Sequence, residues 1–359
     1  MSFSRRANNL IISDLTEIVR TSEDDMNYFG KSSWTVFGGS GFVGRWLTAS
    51  LLFSSEYIDT EFEVTVVTRD KTKSLNNFQQ FIQSDLFEPK YITVEEFLGK
   101  NYKLDKKEIP NYCIFGATPT TNIPRDLLDI TRYFHSIIDI VSDIDNPPVV
   151  MNLSSGAVYK NAFGRQESIL EDDEIQVAGQ GINLYQECKI SIEDILSNRT
   201  KAGLIKGVNP RLFSFAGPGF PLNSHFAVSN FIMSCLNRTE ICITGHPKTS
   251  RSYMDPVDMT SWLLRLLRMH ENIGLNPIHI GSDSPICMDE LASIIQKIFV
   301  GKNIRYTQGL SAIPNSYVPS TAKTRELLGV GYNWNLERTL SKWRDFIGAK
   351  EHTSEFLWE

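Results

Sequence analysis

The chain has 359 residues, enough for two ordinary domains or one large one. Apolar residues make up 41% and charged residues 22%, the balance of a globular rather than a disordered protein. The net charge of -6 and the lack of a dense Lys/Arg stripe argue against nucleic-acid binding, because phosphate contacts need clustered cations. No apolar run approaches the roughly 20 residues that span a bilayer, so no membrane association is expected.

Five cysteines are scattered along the chain without a CxxC pair, which is typical of reduced thiols in the cytosol. The N-terminus carries no secretory signal pattern, and we therefore expect a cytoplasmic protein. The six histidines show no metal-ligand spacing, so no metal site is predicted.

The chain is predicted to begin with a helical extension over residues 1–30. Ser13 is placed to cap a short amphipathic run that carries Leu15, Ile18 and Val19. This segment is expected to pack on the surface of the main domain.

From Trp34 onward, short apolar runs alternate with longer helical segments. The predicted strands are 34–37, 63–68, 112–117 and 148–155, and the main helices between them are 42–54, 125–141 and 185–197. This alternation indicates βαβ units, and the handedness of crossover connections favours an α/β fold with a doubly wound parallel sheet. Beyond Pro210 the elements shorten and Gly and Pro increase, which predicts a smaller lobe over the carboxyl edge of the sheet.

A glycine-rich loop lies directly between strand 34–37 and the next helix. Glycines let the backbone turn tightly and approach a pyrophosphate, whose charge is then stabilised by the N-terminus of the helix. A glycine-rich turn without a ligand is the alternative, but the strand before the loop and the apolar helix after it favour a dinucleotide site. The residues predicted to bind the cofactor here are Gly38, Ser40, Gly41, Phe42, Val43 and Gly44.

The end of the second strand carries the signal for cofactor type. A carboxylate there would bind the adenosine ribose hydroxyls, but the chain has Arg69, which could pair with the 2′-phosphate of NADP(H). NADP(H) is therefore favoured over NAD(H), although Asp70 follows at once and a shift of one residue would restore NAD. Further along, Asp85 and Leu86 are predicted to contact the adenine, with an exposed loop aspartate as the equal alternative.

A YxxxK pair, Tyr185 and Lys189, lies in the predicted helix 185–197, one turn apart on a common face. A phenol has an unperturbed pKa of about 10, and a neighbouring ammonium favours its ionised form, as proton exchange near neutral pH requires. Lys189 can also hold the nicotinamide ribose. Ser155 ends strand 148–155, at the edge where open α/β sheets place ligands, and could hydrogen-bond the reacting oxygen. A half-buried helix aromatic is the alternative for Tyr185.

Five ordered motifs resemble those of the extended short-chain dehydrogenases/reductases, and more narrowly the NAD-dependent epimerase/dehydratase proteins of bacterial surface-polysaccharide gene clusters. They are Gly38–Gly44, NLSSGAVY at 152–159, YQECK at 185–189, NPRLFSFAGPG at 209–219 and RSYMDPVDM at 251–259. PSTAKTRELLGV at 319–330 resembles the usual ending of that family. The resemblance covers roughly residues 34–345 and leaves residues 1–33 outside it.

The resemblance implies a Rossmann domain over residues 31–210 and a substrate-binding lobe mainly over 211–359, with segments that return to the first domain. It also implies a homodimer and a nucleotide-sugar substrate. Ser155, Tyr185 and Lys189 would then be the catalytic trio.

Two further positions are implied to bind substrate. Arg251 would hold the diphosphate of the nucleotide sugar with its bidentate guanidinium, unless it forms an ion pair with Asp255 or Asp258 instead. Ser214 stands where the family often has an asparagine, which leaves that substrate contact open.

One difference from the family pattern reduces the number of reactions to consider. Gly156 and Ala157 stand where 4,6-dehydratases carry an acidic pair, so dehydration is disfavoured. The favoured reaction is reduction of a 4-keto (6-deoxy) nucleotide sugar by NADPH with Tyr185 as the general acid, which Arg69 supports. The alternative is a 4-epimerase with tightly held NAD, and a non-catalytic dinucleotide-binding regulator on the same fold is a more distant one.

Overall fold

The computed structural model describes residues 5–83, 88–99, 108–117, 124–176, 183–224, 226–307 and 313–350. The predicted adenine contacts Asp85 and Leu86 lie outside these residues.

The helices, in chain order, are α1 Arg5–Thr21, α2 Glu23–Phe29, α3 Phe42–Ser54, α4 Lys71–Phe81, α5 Val94–Leu98, α6 Pro124–Val141, α7 Leu184–Lys201, α8 Ala227–Leu236, α9 Pro256–Arg268, α10 His270–Ile273, α11 Met288–Ile298, α12 Ala322–Leu328 and α13 Leu336–Lys350.

The strands are β1 Lys31–Phe37, β2 Glu61–Thr68, β3 Lys90–Thr93, β4 Tyr112–Phe115, β5 Val149–Asn152, β6 Ser154–Ser155, β7 Lys206–Val208, β8 Pro210–Leu212, β9 Ile241–Ile243, β10 Ser250–Arg251, β11 Ile278–Ile280, β12 Ile286–Cys287, β13 Ile304–Tyr306 and β14 Ser316–Tyr317.

The main sheet has six strands in the order β3-β2-β1-β4-β5-β7, and every neighbouring pair is parallel. The chain winds one way from β1 to β3 and the other way from β4 to β7, so the direction reverses between β1 and β4. The predicted doubly wound parallel sheet is confirmed. In such sheets ligands bind beyond the carboxyl ends of the strands at this reversal, which is where the glycine loop leaves β1.

The predicted strand 148–155 is in fact two strands. The amide of Leu153 still donates to the carbonyl of Phe115 in the main sheet, at 2.9 Å. Beyond it the chain changes partner, and β6 pairs with β8 in a smaller parallel sheet ordered β11-β8-β6. Ser155 therefore lies in the second sheet, opposite Leu212.

Two further small sheets lie after β8. They are ordered β12-β10-β14 and β13-β9, and the first combines an antiparallel with a parallel pair. The short elements expected beyond Pro210 are present in these sheets, and the division into a Rossmann domain and a smaller lobe stays a prediction.

The N-terminal helix is longer than its predicted cap allows. Ser13 is exposed in the interior of α1 and caps nothing, so that prediction was wrong. The reason is that the apolar period continues upstream of it, where Ala7 and Ile11 are fully buried. The apolar face of α1 packs against α13, α9 and α3 and joins the main hydrophobic core.

Within the described ranges, no helix has both the length and the apolar character needed to cross a membrane.

Candidate functional site

The glycine loop between β1 and α3 has two positions that accommodate only glycine. Gly38 has a φ of 84°, and a Cβ atom there would lie 2.6 Å from the carbonyl oxygen of Gly116. A Cβ atom at Gly44 would lie 2.4 Å from the carbonyl oxygen of Gly38. Both obstacles are backbone atoms, which cannot move aside without distorting the loop. Both glycines are therefore required for the close backbone packing of this turn.

The first turn of α3 directs its amide groups toward this loop. Gly41 precedes the helix in an extended conformation, and Phe42, Val43 and Gly44 form the first turn, with Ser40 in the bend before them. Amides of a first helical turn have no acceptor within the helix, and the helix dipole is positive at this end. These residues lie at the reversal of the sheet and fit the pyrophosphate of a dinucleotide.

An exposed guanidinium lies at the end of β2, at the ligand-binding edge of the sheet. β2 ends at Thr68, so Arg69 directly follows the strand, and its side chain is exposed. The carboxylate of Asp70 instead accepts a hydrogen bond from the amide of Lys73 at 2.9 Å and caps α4. The Asp70 carboxylate, which could otherwise bind the adenosine ribose, is thus hydrogen-bonded to the first turn of α4.

The structure brings Ser155 and Tyr185 together at the wall of one pocket. Ser155 begins a short 3-10 turn, in which its Oγ accepts from the amide of Ala157 at 3.1 Å. Tyr185 lies in the first turn of α7, which Asn183 caps through reciprocal bonds with Gln186. The Gln186 Nε2 also donates to the carbonyl of Ala157 at 2.8 Å and joins the helix to the turn.

Lys189 lies one turn after Tyr185, with its Nζ 5.7 Å from the centre of the Tyr185 ring. The side chain is buried, and Nζ donates to the carbonyl oxygen of Leu153 at 2.6 Å. Burial lowers the pKa of Lys189 to about 8. Burial also raises the pKa of Tyr185, so its phenol is protonated at neutral pH in this structure.

A buried ion pair and a hydrogen bond to the same carboxylate fix α7 relative to β8 and β6. Glu193, one further turn along α7, accepts from the Arg211 guanidinium at 3.1 and 2.8 Å. The same carboxylate accepts a short hydrogen bond from the Ser154 hydroxyl. Because Ser154 adjoins Ser155, this bond sets the distance between the strand that carries the serine and the helix that carries the tyrosine.

A cavity of about 510 Å³ opens beside the hydroxyls of Ser155 and Tyr185. Its wall is largely aromatic, and no aspartate or glutamate occurs among the described residues that line it. The aromatic wall includes Phe163, Phe213, Phe220, Tyr253 and Tyr317.

Both predicted substrate residues, Ser214 and Arg251, line this cavity. The Arg251 guanidinium donates to the side chain of Asn315 at 2.9 Å and to the carbonyl of Ser250 at 2.7 Å.

The alternative ion pair of Arg251 is not formed, because both candidate carboxylates have other partners. Asp255 accepts from Thr339 at 2.6 Å and pairs with Lys342 at 3.1 Å. Asp258 accepts the amides of Asn333 and Trp334. Arg251 is therefore left facing the cavity.

Gly156 and Ala157 stand at the two positions of the dehydratase acidic pair. The first has no room for a side chain, and the second carries only a methyl group. A Cβ atom at Gly156 would lie 2.4 Å from the ring of Phe213, and Ala157 lines the cavity with a methyl group. Neither position supplies an acid or a base.

Sequence reasoning did not identify Tyr317, although it lines the same cavity as Ser155. The pairing of β14 with β10 places it there, since Tyr317 is the register partner of Arg251. Its position two residues before the segment 319–330, which resembles the family ending, was the available signal.

Fold and site together define a dinucleotide-dependent enzyme of the Rossmann type. The sequence profile described as the NAD dependent epimerase/dehydratase family matches residues 34–281, and the chain belongs to this family.

Individual relatives are more distant. UDP-glucuronic acid decarboxylase 2 of Arabidopsis thaliana is 23% identical over 310 residues, which cover 82% of this chain and 63% of that protein. The chain thus spans less than two thirds of the length of this curated relative.

Solved structures share the fold over most of the chain. An epimerase of Methanothermobacter thermautotrophicus has a TM-score of 0.75 at 20% identity and covers 93% of this chain and 97% of its own. The UDP-glucose 4-epimerase of Thermotoga maritima, solved with UDP-glucose, has a TM-score of 0.72 at 17% identity and covers 89% of this chain and 99% of its own.

Proposed function

We propose that this chain reduces the C4 ketone of a 6-deoxy nucleotide sugar with NADPH. The observation that carries the proposal is the placement of Ser155 and a protonated Tyr185 phenol together at the wall of the cavity, with the Lys189 ammonium one turn away. A protonated phenol is the form that a ketone reduction requires, because the new alkoxide must take up a proton.

The glycine loop and the first turn of α3 would hold the pyrophosphate of the cofactor, and Lys189 its nicotinamide ribose. The bound nicotinamide supplies the hydride. One solved relative, a UDP-glucuronic acid 4-epimerase of Bacillus cereus, is in complex with NAD. In this chain the exposed Arg69 at the end of β2 supports NADP(H) instead, since a guanidinium pairs with a 2′-phosphate.

Residues of the chain donate the proton that the reduction requires and stabilise the charge that its transfer leaves behind. Tyr185 gives its hydroxyl proton to the C4 oxygen as that carbon is reduced, and solvent later restores the proton to the phenolate. Ser155 donates its one hydroxyl proton in a hydrogen bond to the same oxygen, and Lys189 stabilises the negative charge of the phenolate from one turn away. One hydride and one proton convert each ketone to an alcohol.

The cavity would hold the sugar nucleotide with Arg251 on the diphosphate and Ser214 beside the sugar. Relatives solved with UDP-glucose, with UDP-N-acetylmuramic acid and with a fluorinated UDP-glucuronic acid support a nucleotide sugar. Apart from Arg251, which is assigned to the diphosphate, the described lining is uncharged and largely aromatic, and this favours a sugar without a carboxylate, such as a 6-deoxy sugar. The homodimer and the cytoplasmic location stay predictions.

Epimerisation at C4 is the second candidate. It is supported by the 4-epimerase relatives and by the lack of carboxylates among the described lining residues, because oxidation and re-reduction at C4 need the same trio and no added acid. The trio would then act twice on one bound sugar, with the cofactor held throughout.

The role of Tyr185 is tested by Tyr185→Phe. Turnover should fall about 10²–10⁴-fold while the Kd for NADPH stays unchanged, because only the proton donor is removed. Tyr306→Phe, a matched change on an exposed side chain, should leave both unaffected. Full turnover in Tyr185→Phe would refute the mechanism.

The two reactions differ in their use of cofactor. Mixed with NADPH and TDP-4-keto-6-deoxyglucose, a reductase consumes one NADPH per sugar, which absorbance follows directly. An epimerase instead interconverts UDP-glucose and UDP-galactose without net oxidation of added cofactor. Interconversion without stoichiometric NADPH loss would replace the first proposal with the second.

A further inference from the structure

One nitrogen of the Arg251 guanidinium is already engaged by the chain. Its Nη1 donates to the side-chain oxygen of Asn315 at 2.9 Å and to the carbonyl oxygen of Ser250 at 2.7 Å. A guanidinium carries five N–H groups in a planar fork, and Nη1 has two of them. The two acceptors therefore use the hydrogens of Nη1, and the edge formed by Nε and Nη2 is left for a ligand.

Asn315 is held in place by the strand that carries the arginine. It directly precedes β14, and its backbone carbonyl accepts the amide of Ser250 at 2.8 Å. The pairing continues along the two strands, where Tyr317 lies opposite Arg251. Because a guanidinium only donates hydrogen bonds, the side-chain oxygen of Asn315, and not its nitrogen, must face Nη1. Backbone pairing and side-chain contact together fix the plane of the guanidinium.

The acceptor that Asn315 supplies carries no charge. Among the described residues no carboxylate lies beside Arg251, since Asp255 and Asp258 bind other partners. Burial lowers the pKa of Arg251, because the guanidinium loses part of its hydration without gaining an anion. A neutral amide thus orients the guanidinium and leaves its positive charge available to a ligand.

We propose that Asn315 is a positioning residue that aligns Arg251 for bidentate binding of the substrate diphosphate. The parallel N–H groups on Nε and Nη2 match two oxygens of a phosphate. Asn315 is not among the described residues that line the cavity, so it acts through the arginine and not on the ligand. The inference rests on the proposed nucleotide-sugar substrate and deepens it, but it concerns affinity alone and does not depend on the reaction.

The test is the Kd for a nucleoside diphosphate, measured by calorimetry with UDP, TDP, GDP and CDP and then followed in variants with the tightest of the four. Asn315→Asp keeps the shape of the side chain but should weaken binding about 10- to 100-fold, because the new carboxylate pairs with Arg251 and repels the diphosphate. Asn315→Ala should weaken binding only about 3- to 10-fold, because the guanidinium loses its alignment but keeps its charge. A merely structural asparagine predicts the opposite order, since aspartate retains the acceptor that alanine removes.

Two controls accompany this series. Asn303→Asp makes the same charge change on an exposed side chain outside the cavity lining, and it should leave the Kd unchanged. The corresponding nucleoside, which has no phosphate, should bind the unchanged chain and both Asn315 variants equally. Equal Kd values for the diphosphate in the unchanged chain and both Asn315 variants would overturn the proposal.

A double-mutant cycle tests whether the effect passes through the arginine. In an Arg251→Ala background, Asn315→Ala should add no further loss of affinity for the diphosphate. An equal loss with and without the guanidinium would refute the positioning role.

Turnover keeps this inference separate from the proposed reaction. If the diphosphate Kd responds to the Asn315 variants as expected but TDP-4-keto-6-deoxyglucose is not reduced, the reaction is wrong and the positioning role stands. Turnover of that sugar with a Kd that is insensitive to Asn315 would remove the positioning role alone. Lack of binding by all four diphosphates would count against both.

Discussion

We expect the choice of cofactor to depend on Arg69. It follows β2 directly and is exposed, and the adjacent Asp70 caps α4. We expect Arg69→Asp to shift preference from NADPH toward NADH, because a carboxylate repels a 2′-phosphate and accepts hydrogen bonds from ribose hydroxyls. The loss for NADPH should be about 1.5–3 kcal/mol, the size of a hydrogen bond to a charged group, measured as the ratio of the two Kd values.

Lys73→Asp makes the same charge change on an exposed side chain in the first turn of α4. The ratio of the Kd values for NADPH and NADH should stay near that of the unchanged chain. The substitution alters the overall electrostatic field but leaves the side chain at the end of β2 in place. A preference that is unchanged in Arg69→Asp would show that this guanidinium does not contact the cofactor.

Residues joined by local spacing were predictable, and residues joined by long-range pairing were not. Tyr185 and Lys189 could be placed on one helix face because the helical period is fixed. Tyr317 reaches the cavity that Ser155 lines only through the pairing of two short strands, which no local pattern encodes. Likewise, the sequence alone left open whether Arg69 or Asp70 follows the second strand directly. The end of β2 at Thr68 and the capping of α4 by Asp70 answer this question.

At the level of elements, α1 contributes to the main core although it lies outside the family match. Leu15 is 0% exposed on its packed face. Leu15→Ala should lower the free energy of unfolding by about 2–5 kcal/mol, through lost burial and the cavity left behind. Urea denaturation followed by circular dichroism measures this loss.

Thr16→Ala, on the exposed face of the same helix, is the matched control and should change stability by less than about 0.5 kcal/mol. Equal effects of the two substitutions would mean that α1 does not dock as described.

Element boundaries show where sequence patterns lose information. The run 148–155 reads as one apolar strand, and nothing in it marks the change of partner at Leu153. Strand existence follows from β-branched and apolar composition, whereas the sheet that a strand joins is decided by distant chain. The fold class was therefore accessible from the sequence, but the placement of Ser155 in a second sheet was not.

On the scale of the whole molecule, a buried charge cluster joins the two ends of the chain. Lys342 on α13 lies 2.8 Å from Asp14 on α1 and 3.1 Å from Asp255 at the start of α9. Burial raises the pKa of Asp14 to about 7, against the lowering effect of Lys342. The single ammonium of Lys342 thus forms ion pairs with two buried carboxylates.

This cluster makes stability depend on pH. Because the folded pKa of Asp14 lies above the unfolded value, its contribution is complete below about pH 4 and is lost as the pH rises toward 7. Asp14→Asn should therefore flatten the decline in unfolding free energy between pH 5 and pH 8 by on the order of 2 kcal/mol. Urea midpoints at a series of pH values measure it.

Asp24→Asn, on a side chain that is 82% exposed, makes the same charge change without burial and should leave the slope as it was. The cluster is not the source of the pH dependence if Asp14→Asn and Asp24→Asn give the same slope.

The change of sheet at Leu153 has a consequence for the spacing of the site. The serine hydroxyl belongs to a strand paired with β8, and two residues past β8 the chain reaches Ser214 in the cavity wall. The phenol belongs to α7, which contacts β5 and β7 of the main sheet as well as β6. Because the Glu193 carboxylate binds both Ser154 and Arg211, α7 and the smaller sheet are held together, and the serine and the phenol keep one separation although different sheets support them.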